Sequence, residues 1–476
     1  MKSPTVFLVA AVILASITLP AQVQLPDTPA AHQLSAWLAA FNSGDRATLL
    51  AFLQKSFPAR AGEINGEMGF HEQTGGFEFR KADECAATKC SAILQERDSD
   101  QFARIVVDVD PAEPHVIKGM ELRAIPRPAD FPITRMTEVE ALKAFRAYLD
   151  QAAAAGRFSG AALVAKNGKP VFTAVYGMAD RDKKIPNQLG TQFRIGSMNK
   201  MFTATAVLQL VQAGKINLTD PLGKYLTDYP NKDVATKVTI HHLLTHTGGT
   251  GDFFGPEFDK HRLELRTLQD YVKLYGERGL TFEPGSRWEY SNYGFLLLGL
   301  VVQKASGQDY YDYVREHIFR PAGMNSTDSL PEDQAAPGRS VGYTKRDGAK
   351  EWRPNVDTLP YRGTSAGGGY STVEDLLAFA NALENHKLLD AKNVDLLTTG
   401  KVEMQGGGGS KYGYGFGDET SADGVRCFGH GGGAPGMNGD LKICPQSGYV
   451  IAVLANLDPQ AAGHASDFIT ARLPKE

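Results

Sequence analysis

The sequence predicts an α+β protein: a small α+β N-terminal domain, then a larger domain in which an antiparallel sheet is flanked by helices and completed by a helical lobe. Three observations carry this reading. Within residues 25–127, helical periodicity gives way to strand periodicity. Pro126, Pro128 and Pro132 then mark an extended linker over 128–135. In residues 136–476 the strand-like runs gather at the two ends, and the middle, 238–389, has a mainly helical pattern, so the two ends should form one sheet with the helical lobe beside it.

Taken in order, residues 1–21 contain Lys2, an apolar stretch over 6–17 and then Thr18-Leu19-Pro20-Ala21, the pattern of a secretory signal peptide cut after Ala21. The apolar run is short for a bilayer span, and no later segment supplies one. The expectation is a periplasmic or secreted protein with no transmembrane segment after cleavage. In the next domain, Leu34, Trp37, Leu38 and Phe41, then Leu49, Leu50, Phe52 and Leu53, fall at helical spacing on either side of Asn42-Ser43-Gly44-Asp45. Two helices joined by a turn follow from that. Alternating stretches at 76–80 and 103–109 then read as strands. This helix-then-sheet order is weakly similar to the cone-shaped fold of nuclear transport factor 2 and its relatives.

The larger domain opens with a helix over 139–155 and a hairpin whose strands, 161–166 and 170–176, flank a turn at Asn167-Gly168. A helix carrying Ser197 comes next and ends near Gly214. At the far end, 424–431, 439–444 and 449–456 read as strands and 461–473 as a terminal helix. The glycines of 406–409 read as a mobile loop.

With 476 residues and 42% hydrophobic content, the chain can bury more than one core. A net charge of -4 with 22% charged residues supplies no basic field for nucleic acid, so the expected partner is a small-molecule or peptide substrate. The four cysteines group as Cys85 with Cys90 and Cys427 with Cys444, neither at metal-ligand spacing; local disulfides suit an exported protein.

The chemistry starts at Ser197-Met198-Asn199-Lys200, the one Ser-x-x-Lys in the chain. On a helix, residues three apart share a face, which would set the Lys200 amine beside the Ser197 hydroxyl as a base. Tyr290-Ser291-Asn292 lies where a Pro-Gly turn meets a helical run; its phenol could relay a proton, and Asn292 could bind substrate or Lys200. A second Tyr-x-Asn, at Tyr229-Pro230-Asn231, sits in a polar loop with no helix start after it. His430-Gly431-Gly432-Gly433 ends a strand, and glycines there admit a substrate or another backbone. His430 could then face the cleft, with the amides of Ser197 and Gly433 as oxyanion donors.

These motifs, with the run from Thr239 to Gly249 and Ala366-Gly367-Gly368-Gly369-Tyr370-Ser371-Thr372, resemble the serine hydrolases related to class C β-lactamases, a family that includes penicillin-binding D,D-peptidases, D-aminopeptidases and carboxylesterases. The resemblance covers about residues 136–471 and implies a β-lactamase/transpeptidase-like fold. It also implies acylation of Ser197, with Lys200 and Tyr290 sharing the proton transfers, substrate binding by Asn292, His430, Gly431, Gly432 and Tyr412, and no cofactor or metal. Which of Lys200 and Tyr290 is the base stays open at this stage. One departure matters: β-lactamases of this type usually have lysine where this chain has His430. A mostly neutral imidazole favours esters or amides without a required anion over β-lactams or peptides with a free carboxylate.

Two other classes are weighed against this one. His242 and His246, four apart, could ligate a metal, but Leu243 stands where a zincin would place its glutamate. A catalytically silent cell-wall or ligand-binding protein is the other, and the intact Ser197, Lys200, Tyr290 and Asn292 argue against it.

Overall fold

The computed structural model describes residues 25–334, 336–346, 351–404 and 410–476. The signal-peptide reading of 1–21 and the loop reading of 406–409 lie outside the described residues.

In the N-terminal unit, helix Pro29–Asn42 is capped by the Thr28 hydroxyl and helix Arg46–Ser56 by the Asp45 carboxylate, which accepts from the Thr48 amide at 2.7 Å. A third helix, Ile64–Thr74, precedes a four-stranded antiparallel meander made of Phe77–Cys85, Lys89–Glu96, Phe102–Val109 and Ile117–Ile125. Leu34, Trp37 and Phe41 of the first helix share a core with Leu94, Ile105 and Val107 of the sheet. Cys85 and Cys90 are joined across the first strand pair.

The larger unit is organised by an eight-stranded sheet, all of whose neighbours are antiparallel. Its centre is where the two ends of the unit meet: Tyr449–Ala455 lies between Met437–Cys444 and Gly160–Lys166, with Ile451 opposite Val164. These strands are apolar on both sides because helices cover both faces. On one face, helices Glu138–Ala154 and Ala461–Thr470 pack on Ala162, Val164, Ile451 and Val453. On the other, Asn199–Gln212, Asn292–Ser306 and Val373–Glu384 pack with Leu163, Leu441, Val450 and Ala452 in the main core. Cys427 and Cys444 are bonded between Arg426–Ala434 and Met437–Cys444.

Two local expectations need correction. Ser197 is not on a helix: strand Phe193–Gly196 ends at Gly196 with φ +51°, Ser197 occupies the turn, and helix Asn199–Gln212 begins two residues later. A helix does follow the second Tyr-x-Asn, because Asn231 accepts from the Val234 amide at 3.0 Å and caps helix Lys232–Lys237. Tyr229 is nevertheless buried and paired with the Tyr293 phenol at 3.1 Å.

Candidate active site

The strand-to-helix turn at Ser197 is held by close backbone packing. A Cβ on Gly196 would meet the Gly433 nitrogen at 2.9 Å, and one on Gly432 would run into the Ile195 carbonyl oxygen. The Gly367 and Gly368 backbone closes the other side, with the Gly368 amide donating to the Gly196 carbonyl at 3.1 Å. Only glycine fits these approaches. The strand Arg426–Ala434 runs on through His430–Gly433 instead of ending at them, each paired with the neighbouring strand, and these approaches bring its Gly432 and Gly433 against the Ser197 turn, where the amides of Ser197 and Gly433 can share an oxyanion.

Lys200, on the first turn of helix Asn199–Gln212, is 0% exposed. Its Nζ donates to the Ala366 carbonyl at 2.6 Å and to Asn292 Oδ1 at 2.7 Å, and lies 3.2 Å from Ser197 Oγ. Burial drives its pKa down to about 7, against a smaller upward pull from the Asp252 carboxylate. A neutral amine has two N–H donors and one lone pair. With the carbonyl and Asn292 taking the two donors, the lone pair is left for the Ser197 proton.

Tyr290 precedes the Ser291 cap of helix Asn292–Ser306. Its phenol is hydrogen-bonded to Ser197, and burial is the main reason that its pKa is pushed far upward. It therefore stays protonated near neutrality. Lys200 Nζ stands 4.7 Å from the centroid of its ring.

His430 is oriented through both ring nitrogens. Tyr412 donates to Nε2 at 2.9 Å, and Nδ1 donates to the Gly431 carbonyl at 2.5 Å. Burial, then the neighbouring Lys200, lowers its pKa to about 4, so it carries no charge at neutral pH. Beside it lies a cavity of about 190 Å³ whose lining includes Trp288, Tyr290, Tyr412 and Phe428 and also the charged Glu419, Asp440 and Lys442. The structure thus gathers Ser197, Lys200, Tyr290, Asn292 and His430 into one site, with Gly431, Gly432 and Gly433 as its glycine wall. Tyr412 is 3% exposed, donates to His430 and also forms part of the cavity wall.

One residue of this cluster, Asp252, escaped sequence reasoning, and another, His246, entered it only as a metal-ligand candidate and as part of the run from Thr239 to Gly249. Asp252, in a loop, accepts from Asn292 Nδ2 at 2.8 Å. His246 is 1% exposed with φ +58°; its Nδ1 accepts from the Ser291 amide at 3.1 Å, and its ring lies 4.3 Å from that of Tyr290, centroid to centroid. Helix Ile240–Leu244 ends before His246, while His242 Nδ1 faces the Thr239 amide, so the two histidines serve different partners. Among the described residues no group of three or more His, Cys, Asp and Glu is placed to hold a metal ion.

The family described as Beta-lactamase matches residues 145–474. The chain belongs to this β-lactamase-related family of serine hydrolases and has its fold. It is 33% identical to a putative penicillin-binding protein, PbpX, of Bacillus subtilis over 298 residues, 62% of this chain and 70% of that protein. It is 31% identical to esterase EstB of Burkholderia gladioli over 308 residues, 57% of this chain and 77% of that one. Among solved structures, a penicillin-binding protein from Bacillus halodurans superposes with a TM-score of 0.62 at 35% identity, covering 68% of this chain and 99% of that one. D-amino acid amidase from Ochrobactrum anthropi SV3 gives 0.57 at 26%, covering 70% and 97%.

Proposed function

We propose that this protein is an exported serine hydrolase that cleaves an ester or amide through an acyl-enzyme on Ser197, in the manner of a carboxylesterase or a D-amino-acid amidase or peptidase. The observation that carries the reading is the buried Lys200 amine, near neutral charge balance and 3.2 Å from Ser197 Oγ. In this mechanism Lys200 takes the serine proton as Oγ attacks the carbonyl carbon. The oxyanion sits between the amides of Ser197 and Gly433. Tyr290, still a phenol, donates its proton to the leaving group and is reprotonated from the Lys200 ammonium. Water then attacks the acyl-enzyme with the same two groups run in reverse.

The substrate preference follows from charge. A neutral His430 with both nitrogens engaged offers no fixed cation for a carboxylate; the adjoining cavity, with Trp288, Tyr290, Tyr412 and Phe428 in its wall, also carries Lys442, but that ammonium is already paired with Glu419 and Asp467. A second reading, as a β-lactamase or a penicillin-binding D,D-carboxypeptidase, is supported by the penicillin-binding relatives. One panel separates them: short acyl esters, D-amino-acid amides, D-Ala-D-Ala peptides and a chromogenic cephalosporin. We expect ester or amide turnover to lead. Cephalosporin turnover as fast as ester turnover would favour the second reading. Fluorophosphonate labelling that survives Ser197→Ala would reject the serine itself.

A further inference from the structure

Resting on that hydrolase reading, we propose that Asp252 is a positioning residue for proton transfer, acting on Lys200 through the side-chain amide of Asn292. Three side chains form a line. Lys200 Nζ donates to Asn292 Oδ1 at 2.7 Å, and Asn292 Nδ2 donates to Asp252 Oδ2 at 2.8 Å. An asparagine amide can be turned either way, and its neighbours decide. A carboxylate accepts only, so it takes the NH2 end, and the carbonyl end is thereby turned to the amine. Were the amide reversed, NH2 would face amine N–H groups on one side and two oxygens would face each other on the other.

The line also has an electrostatic consequence. When Lys200 takes the Ser197 proton, a buried ammonium forms, and Asp252 is the anion that answers it. The other titratable groups around the amine are the Tyr290 phenol and the imidazoles of His246 and His430, and none of these is negative near neutrality. Asp252 Oδ1 is meanwhile held by its neighbour, accepting from the Phe253 amide at 2.7 Å. The carboxylate is therefore fixed in place as well as charged.

Asp252→Asn removes the charge at nearly constant shape, and Asp252→Glu keeps it. With a short acyl ester, we expect Asp252→Asn to lower kcat at least tenfold with KM within about threefold. The acid limb of the pH profile of kcat/KM should move to lower pH by half a unit or more, because an ammonium without its anion loses its proton more easily. Asp252→Glu should leave that limb where the wild type has it. A fall in rate with the limb unmoved would make Asp252 merely structural and overturn the proposal, as would a limb moved equally by Asp252→Glu. If Asp252→Asn does not fold, Asp252→Ser removes the charge in its place, with the same expected and overturning outcomes. Failure of the hydrolase reading is seen separately, in wild-type protein that takes no fluorophosphonate at Ser197.

Discussion

Lys200 shows how one buried side chain sets a working pH. Its pKa of about 7 means that the amine is mostly protonated below that pH and mostly free above it. If it is the base, kcat/KM for a short acyl ester rises about tenfold per unit below pH 7 and levels above it, which a stopped-time assay from pH 5 to 9 would measure. A phenolate base would instead give a limb far to the alkaline side, since burial raises the Tyr290 pKa. Tyr290→Phe should then cost about 10²- to 10⁴-fold in kcat, the usual worth of a positioned proton donor, while the limb near pH 7 stays. Ser197 and Lys200 are legible in the sequence because their spacing and the apolar run after them mark a helix start. Asp252 is not, since a lone aspartate in a Gly-Thr-Gly-Asp run has no partner at any periodic spacing; its partner, Asn292, is brought to it by the fold. His246 reads in the sequence as a possible metal ligand four residues from His242, whereas its burial among Tyr290, Phe295 and Tyr412 is a tertiary fact.

At the scale of elements, the site is a meeting of a strand with a turn, and glycine makes the meeting possible. Gly432→Ala would push its methyl into the Ile195 carbonyl, a backbone atom that cannot step aside without moving Ser197. The expected outcome is a loss of at least a hundredfold in fluorophosphonate labelling rate, with the fold checked by circular dichroism. The same strand is tied to its neighbour by Cys427–Cys444, seventeen residues apart. Replacing both by alanine should lower stability by about 3 kcal/mol, the usual entropic effect of closing a loop of this length, read from urea midpoints. The antiparallel sheet and flanking helices are legible because hairpin and strand runs cluster at the unit's ends, and the Asn167-Gly168 turn declares its hairpin. Helix Ile64–Thr74 is not legible: its few apolar residues are interrupted by Gly66 and Gly69, and it shows only a weak amphipathic pattern.

For the whole molecule, the question is whether the N-terminal unit bears on the chemistry. Its ties to the larger unit include Asp100 with Arg472 at 2.5 Å and Asp98 with Arg157 at 3.2 Å. Arg472 and Arg157 follow the helices Ala461–Thr470 and Glu138–Ala154, which cover the sheet face opposite the helix Asn199–Gln212. Asp100 also holds Arg127 of its own unit at 3.1 Å, so one carboxylate serves two guanidinium groups. Asp100→Ala would leave both without that partner at a junction where each is largely buried. Because the sheet separates this junction from the catalytic turn, stability and catalysis should come apart. The expected result is a lower unfolding midpoint for Asp100→Ala with kcat for a short acyl ester within twofold of wild type. A kcat that falls with the midpoint, measured at a temperature where the variant is fully folded, would mean that the N-terminal unit reaches the Ser197 turn through the sheet, and that the two units act as one catalytic body.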